Sequence, residues 1–228
     1  MADVGDLLKG IAAALWVVLA LLVFLSFRKA LGARLPFLTK LGLTPTGVSM
    51  EFAQQKLDEA TGKTKLEARR AVTQATKRAV LNRVERNADL LARARVLWVD
   101  DNPENNRPIV DLLDRFGAVV ETPRSNAAAL GLMNTTHFHV VLSDVGRDDE
   151  GPESSLAGVR LAEEVYRRTH GQKTILFTAR FDPLRLPDTS DAERLALALT
   201  VSRVVSGRTN RYDEALHLIL DTLERTLL

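Results

Sequence analysis

Apolar runs that end in polar residues are the feature of this sequence that most constrains its fold. Three such runs end, in chain order, in a pair of aspartates, in one aspartate and in a threonine. These residues are Asp100 and Asp101, Asp144, and Thr178. Each run has the length of a buried strand, and the functional crevice of an open α/β sheet lies outside the carboxyl ends of its parallel strands. We therefore expect these polar side chains to meet in one acidic, cation-binding pocket.

Helical patterns alternate with these runs from residue 95 onward. The predicted strands are 95–100, 118–121, 138–144, 173–178 and 202–206. The predicted helices are 104–116, 125–134, 156–169, 191–199 and 211–227. Gly117 is of the type that ends a helix, and Ser125 is of the type that caps the start of one. The alternation predicts an α/β fold with a doubly wound, five-stranded parallel sheet and helices on both faces.

Charge is distributed unevenly along the chain. Residues 1–94 carry 15 Lys and Arg against 8 Asp and Glu, whereas residues 95–228 carry 16 against 21. The sequence contains no cysteine, which excludes disulfides, thiolate metal sites and cysteine nucleophiles. We therefore expect a basic amino-terminal part followed by an acidic α/β domain.

Residues 10–27 contain no charged side chain and have the length that a helix needs to cross a bilayer. The competing interpretation is a cleaved signal peptide, but Arg28 and Lys29 follow the run at once, where a cleavage region is normally uncharged. We predict a transmembrane anchor within residues 1–34. The basic residues after the span indicate that the rest of the chain is cytoplasmic, so the sequence predicts a single-pass protein of the bacterial inner membrane.

Two further segments lie between the anchor and the α/β domain. Residues 35–53 contain several prolines and glycines and are predicted to be a linker. Residues 54–94 are rich in good helix formers and are predicted to form one long basic helix, interrupted only near Thr61 and Gly62. Its apolar residues would bury a seam in a homodimer, as a coiled coil, or against the following domain. These residues are Ala68, Val72, Ala75, Ala79, Val84, Ala88 and Leu91.

The basic residues of this long helix have two interpretations. They could attract anionic headgroups or nucleic acid, or they could form a solvated charged face. No aromatic residues are interleaved with them and no nucleic-acid motif is present. We therefore favour the solvated face and do not expect nucleic acid as a partner.

The motifs Val99-Asp100-Asp101, Leu142-Ser143-Asp144 and Phe177-Thr178-Ala179 resemble, in order and spacing, the receiver domain of two-component response regulators. The resemblance covers residues 95–228. It implies that Asp144 accepts a phosphoryl group, that Thr178 contacts the phosphoryl oxygens, and that Mg²⁺ is the cofactor. The implied metal ligands are Asp100, Asp101, Asp144 and the main-chain carbonyl of Gly146. Carboxylate oxygens are hard ligands of the kind that Mg²⁺ takes.

One position departs from the pattern of that family. Receiver domains carry a lysine at the end of the fifth strand, where this sequence has Ser206 or Gly207 and no lysine. Arg208, or Arg147 shortly after Asp144, is the candidate substitute cation, although a guanidinium fork is not equivalent to the point charge of a lysine. The sequence therefore differs from the family at the position that pairs with the phosphoryl group.

Three functional hypotheses remain. The first is a membrane-tethered receiver that is phosphorylated on Asp144 and has a histidine kinase or another signalling protein as its partner. It would act through that partner or through a homodimer. The second is a pseudo-receiver that works as a constitutive interaction module without phosphorylation. The third, with least support, is an enzyme of another doubly wound family, because an Asp-x-Asp first strand and a glycine-rich phosphate loop are both missing. The acidic loop 146–156 is either a partner surface or a solvated excursion.

The predicted topology can be tested with a reporter fused after Leu228. Because basic residues follow the predicted span, we expect the reporter to be active in the cytoplasm. Paired cytoplasmic and periplasmic reporters at the same residue measure this directly. A periplasmic signal would overturn the topology.

Overall fold

The structure is a computed structural model that describes residues 47–63, 72–147, 155–178 and 190–228. The chain divides into two compact units, Met1–Leu43 and Thr44–Leu228, and the described residues all belong to the second. Among them there is no helix with the length and apolar character needed to span a bilayer. The predicted anchor at residues 10–27 lies outside the described residues and stays a prediction.

The described unit contains three helices before the sheet and five strand and helix units after them. The first helices are α1 (Gly47–Lys63), α2 (Gln74–Arg86) and α3 (Ala88–Leu91). The strands are β1 (Arg95–Val99), β2 (Val119–Glu121), β3 (Val140–Asp144), β4 (Thr174–Phe177) and β5 (Val205–Thr209). The helices that follow them are α4 (Arg107–Arg115), α5 (Asn126–Met133), α6 (Ala157–Arg168), α7 (Asp191–Val204) and α8 (Tyr212–Leu227). A short 3-10 turn, Pro103–Asn105, precedes α4.

The five strands form one parallel sheet in the order β2-β1-β3-β4-β5. This is the strand order of the flavodoxin-like doubly wound fold, so the predicted fold class is confirmed for the α/β part. Local signals behave as expected. Gly117, which follows α4, has a φ of 90° that favours glycine, and the Ser125 side chain accepts a hydrogen bond of 3.2 Å from Ala128 N at the start of α5.

The fifth strand is displaced from its predicted position. We predicted a strand over 202–206, but α7 continues to Val204 and β5 runs from Val205 to Thr209. Of the two apolar residues in the predicted strand, Val204 therefore belongs to the helix, where it is buried, and Val205 begins β5. The strand itself contains Ser206, Gly207 and Arg208, which carry no strand signal.

The core has two faces because successive strand residues point to opposite sides of the sheet. On one face, α5, α6 and α7 cover a layer of aliphatic strand side chains that includes Val99, Val141 and Leu176. On the other face, α8 contacts β3, β4 and β5, and Trp98 of β1 is fully buried. The carboxyl ends of β1, β3 and β4 are thereby held side by side at one edge.

The predicted long helix over 54–94 is not continuous in the described residues. The first helix ends at Lys63, directly after the predicted interruption at Thr61 and Gly62, and α2 begins after Thr73, whose side chain accepts a hydrogen bond of 3.1 Å from Thr76 N. Because α1 begins at Gly47, the last residues of the predicted linker are helical. Within the described residues, the predicted helix is divided into α1, α2 and α3.

These amino-terminal helices form an additional layer outside α4 and α8. Lys56 of α1 pairs with Asp111 of α4 at 2.9 Å. Arg83 of α2 pairs with Asp221 at 2.5 Å and with Glu224 at 2.9 Å, both on α8. The apolar residues at this layer are fully or almost fully buried. They are Leu57, Val80, Leu81 and Val84.

The predicted seam is only partly used in this packing. Val84 and Leu91 are buried within the chain, whereas Ala75 and Ala79 lie on the exposed side of α2. The amino-terminal helices thus pack against the following domain, which was one of the two predicted uses of the seam. The homodimer stays a prediction.

We expect Leu81→Ala to destabilise the full-length protein by about 2–5 kcal/mol, because it removes a buried side chain between α2 and its neighbours. The measurement is the free energy of unfolding from chemical denaturation. Leu199→Ala is the matched control, since Leu199 is 62% exposed on α7 and should cost less than about 0.5 kcal/mol. Equal effects of the two substitutions would contradict the packing of α2.

Candidate functional site

Three carboxylates meet at the carboxyl edge of the sheet. Asp100 and Asp101 directly follow β1, and Asp144 is the last residue of β3. The two strands are neighbours in register, with Val99 opposite Ser143. One carboxylate oxygen from each aspartate lies within 4.8 Å of the others. The structure therefore brings together the three residues that the sequence singled out as cation ligands.

Asp100 is the most firmly held member of the cluster. Its Oδ1 accepts a hydrogen bond of 2.8 Å from the main-chain N–H of Asn102, and its Oδ2 accepts one of 2.5 Å from the Asn106 side chain. The Asn106 side-chain oxygen in turn accepts a hydrogen bond of 3.0 Å from the hydroxyl of Tyr212, at the start of α8. The position of the carboxylate is thus fixed by both the loop after β1 and the last helix.

The buried Asp100 and the partly buried Asp144 both have pKa values above their usual range. Burial is the main cause for Asp100, whose hydrogen bonds from Asn102 and Asn106 act in the opposite direction. For Asp144, burial and then the negative charge of Asp100 raise the pKa to about 6. Negative charge is therefore costly at this edge, and a bound cation would relieve that cost.

The donor set fits Mg²⁺. Each aspartate offers hard carboxylate oxygens, and the partly exposed Asp101 and Asp144 leave room for the waters that Mg²⁺ retains. Gly146, whose carbonyl was predicted as a further ligand, is exposed and lies two residues after Asp144. These groups are the residues that would hold the ion.

The two predicted substitute cations lie on the Ser143 side of the sheet, although the charge of Arg147 still lowers the pKa of Asp144. Arg147 is fully buried, and its guanidinium donates to Ser143 Oγ at 2.6 Å, to the Asp144 main-chain oxygen at 3.0 Å and to the side chain of Asn126. Arg208 is exposed and, by register with Leu176, shares the face of Ser143 rather than that of Asp144. The Arg147 guanidinium thus joins the end of β3 to the start of α5.

The position at the carboxyl end of β5 is occupied by Thr209, not by Ser206 or Gly207 as predicted. This correction follows from the displaced strand, since Phe177 pairs with Thr209 just as Asp144 pairs with Phe177. The Thr209 hydroxyl is buried and donates to Glu214 Oε2 at 2.7 Å. A lysine is therefore missing from this position by either assignment.

Thr178 lies at the same edge as the carboxylates. It follows Phe177, the register partner of Asp144, and its main-chain N–H donates to the Thr209 carbonyl at 2.7 Å. The residue is half-buried. Thr178 is thus one residue beyond Phe177, which lies beside Asp144 in the sheet.

Three aromatic rings form an apolar floor below the site. Trp98 and Phe177 meet edge to face with centroids 5.5 Å apart, and Tyr212 lies 4.9 Å from Phe177 and 6.4 Å from Trp98. Burial, followed by the charges of Asp100 and Asp144, raises the pKa of Tyr212. The phenol therefore stays protonated and keeps its hydrogen bond to Asn106.

The residues that position the site could not be recognised from the sequence. Asn106 is one of three asparagines after Asp101, and only the 3-10 turn determines which of them faces Asp100. Gly158 is a second example, because a Cβ at this position would lie 2.2 Å from the main-chain oxygen of Asp144. Only glycine lets the start of α6 approach β3 this closely. The sequence carries no local signal for either contact.

Comparison with solved structures gives receiver domains of response regulators. The signal receiver domain of an HD domain-containing protein from Pseudomonas fluorescens Pf-5 is 19% identical, with a TM-score of 0.44 over 59% of this chain and 89% of that one. A CheY-like receiver domain protein from Methanospirillum hungatei JF-1 is 19% identical, with a TM-score of 0.46 over 59% and 96%. The response regulator TrrA from Thermotoga maritima, solved with Mg²⁺ and BeF, is 20% identical, with a TM-score of 0.43 over 57% and 98%.

No protein-family model matches the sequence, and no curated protein matches it. The receiver-like fold that the motifs predicted is confirmed, and the strand order β2-β1-β3-β4-β5 carries that assignment.

The raised pKa of Asp144 predicts a pH-dependent effect of Asp144→Asn in EDTA. In the folded state the pKa of this carboxyl is about 6, whereas its usual pKa is 3.8. Ionisation of the carboxyl between these two pH values therefore destabilises the fold as the pH rises. We expect the variant to be more stable than the parent by about 2 kcal/mol at neutral pH, with allowance for partial exposure. The difference should vanish below about pH 4.

Urea denaturation across this pH range provides the measurement. Asp89→Asn is the matched control, because Asp89 is exposed on α3 and its substitution should change the stability by less than about 0.5 kcal/mol. Equal stability of Asp144→Asn and the parent at neutral pH would contradict the electrostatic cost assigned to Asp144.

Proposed function

We propose that this protein is a membrane-tethered, receiver-like signalling protein in which Asp144 accepts a phosphoryl group in a Mg²⁺-dependent reaction. The observation that carries the proposal is the convergence of Asp100, Asp101 and Asp144 within 4.8 Å at the carboxyl edge of the sheet. The raised pKa values of Asp100 and Asp144 support it, because they mark a site where a cation is electrostatically favoured.

The proposed metal ligands are the carboxylates of Asp100, Asp101 and Asp144 and the carbonyl of Gly146. A Mg²⁺ ion bound there would neutralise the negative charge that builds up on a transferring phosphoryl group. Asp100 is oriented for this role by Asn106 and, through it, by Tyr212. The aromatic floor of Trp98, Phe177 and Tyr212 excludes water from below.

Asp144 is the proposed nucleophile. Its Oδ1 accepts a hydrogen bond of 2.6 Å from Val145 N, and among the described residues none donates to Oδ2. A pKa of about 6 leaves the carboxyl mostly ionised at neutral pH. In the proposed step Oδ2 attacks phosphorus, an O–P bond forms, and the P–N bond of a phosphohistidine donor breaks as the imidazole nitrogen leaves with the electron pair. Thr178 is the proposed contact to the phosphoryl oxygens.

A pseudo-receiver is the second candidate, and one observation favours it. The described residues offer no lysine at the end of β5, where the hydroxyl of Thr209 is already bonded to Glu214. The Arg147 guanidinium is hydrogen-bonded to Ser143, although its charge still lowers the pKa of Asp144, and Arg208 shares the face of Ser143 by register. In this alternative the same acidic edge serves a constitutive interaction module without phosphorylation.

The proposed partners follow from the signalling role. They are a histidine kinase or another signalling protein, the bilayer through residues 10–27, and a second copy of the chain. We propose an inner-membrane location with the α/β domain in the cytoplasm, supported by the uncharged run and the basic residues that follow it. The proposal includes no catalytic activity beyond self-phosphorylation on Asp144.

Stabilisation by Mg²⁺ tests the metal site. We expect Mg²⁺ to raise the unfolding free energy of the full-length protein in detergent as mass action requires, by about 2.7 kcal/mol at a hundredfold excess over the dissociation constant. Asp144→Asn should remove much of this gain, and Asp89→Asn should retain it. The full chain is used because α1 and α2 cover α4 and α8. Intact folding without any effect of Mg²⁺ would refute the metal site.

Beryllofluoride, a phosphoryl mimic, separates the two candidate functions. With Mg²⁺ present, we expect the mimic to stabilise the parent protein further if Asp144 is a phosphoryl acceptor. Thr178→Ala should weaken binding of the mimic without changing the response to Mg²⁺, whereas Thr178→Ser keeps the hydroxyl and should behave as the parent. A response to Mg²⁺ with no response to the mimic would favour the pseudo-receiver.

A further inference from the structure

A cavity lies at the amino-terminal edge of the sheet, at the opposite end of the strands from the aspartate cluster. Its volume is about 330 Å³, which lies at the lower end of the usual range for small-molecule sites. It is bordered by the segments that enter β3 and β4, by the beginning of β5 and by the end of α8. None of the residues that line it is Asp or Glu, and they include His137, His139, Gly171, Gln172, Lys173 and Arg225.

Positive charge accumulates around this cavity. Lys173 and Arg225 are exposed at its rim, and their hydrogen bonds within the described residues go to main-chain carbonyls and a hydroxyl rather than to carboxylates. The pKa of His139 is lowered by burial and then by the nearby His137 and two arginines, Arg95 and Arg93. Of these groups, Arg95 and Arg93 carry permanent positive charge close to His139.

Helix ends do not cancel this charge. The carboxyl ends of α6 and α8 lie near the cavity, and each contributes about half a negative unit charge. Together they offset about one positive charge, whereas Lys173 and Arg225 alone carry two and Arg93 and Arg95 lie close to His139. The cavity therefore has an excess of positive charge that an anionic ligand would balance.

Gln172 supplies a second requirement on the ligand. Its Nε2 donates to the Phe138 carbonyl at 2.9 Å, and this contact fixes the orientation of the amide. Its Oε1 is buried and has no hydrogen-bond donor among the described residues. A buried carbonyl oxygen without a donor is unfavourable, so a ligand that fits here would offer an N–H or O–H group as well as its anionic group.

The two histidine rings indicate what the part of the ligand outside its anionic group is. His137 and His139 lie edge to face with centroids 5.3 Å apart, and His139 Nδ1 accepts a hydrogen bond of 3.0 Å from Arg95 N. The neutral His139 imidazole therefore carries its proton on Nε2 and can act as a donor. Gly171, at a φ of 120°, brings no side chain into the space. A planar ring can stack in such a cavity.

We propose that this cavity binds a nucleoside monophosphate. The phosphate would lie between Lys173 and Arg225, the base would stack against the histidine rings, and an amino or hydroxyl group would donate to Gln172 Oε1. The site is independent of the phosphoryl chemistry proposed at Asp144, since the two lie at opposite ends of the strands, about 15 Å apart along a five-residue strand.

The test uses the full-length protein in detergent and four ligands, AMP, GMP, CMP and UMP, with adenosine and inorganic phosphate as controls. Binding is measured by isothermal titration and by the NMR signals of the histidine rings. We expect at least one monophosphate to bind and to shift the signals of His137 and His139. The signal of His217, which contacts Arg83 on the far side of α8, should stay in place.

Charge-removing variants give the matched comparison. Lys173→Gln and Arg225→Gln should each weaken binding about tenfold, because each removes a charge-assisted contact to the phosphate. Arg78→Gln removes the same charge from an exposed position on α2 and should leave the affinity unchanged. Failure of all four monophosphates, equal binding of adenosine, or equal binding of inorganic phosphate as an adventitious ion only would each overturn the proposal.

Discussion

The hydrogen bonds to the carboxylate of Asp100 are the interaction on which the acidic edge depends. A buried carboxylate without donors would be strongly unfavourable, yet Asn102 N and the Asn106 side chain satisfy both of its oxygens. Asn106 is itself fixed by Tyr212. The first strand and the last helix are therefore joined through one asparagine, and the geometry of the site is a property of the closed fold rather than of a single loop.

Much of the α/β architecture could be predicted because it follows from local periodicity. Apolar runs gave β1, β3 and β4, and their polar ends gave Asp100, Asp101 and Asp144 as one cluster. The position of β5 could not be predicted in the same way. Its residues 206–208 are not apolar, and their assignment to a strand comes from pairing with β4, which is a long-range interaction.

The roles of Arg147 and Thr209 show a second limit of sequence analysis. Arg147 is one of the two predicted substitute cations and Thr209 directly follows the other, Arg208, but position in the sequence does not determine the face of the sheet. Arg147 turns toward Ser143 and Asn126, and Thr209 is bonded to Glu214. Side-chain direction at strand ends depends on register and on the helices that cover each face. Neither is visible in a local motif.

Because α1 and α2 pack as a layer on the α/β domain, the part of the chain that folds as one unit includes them. Helices of the α/β domain cover the apolar side chains of Leu57, Val80, Leu81 and Val84. Arg83 is bonded to two carboxylates and a histidine of α8. A chimaera that transplants only the sheet and its five following helices would expose this interface to water. The natural unit for domain exchange therefore starts before α1, at the boundary near residue 44.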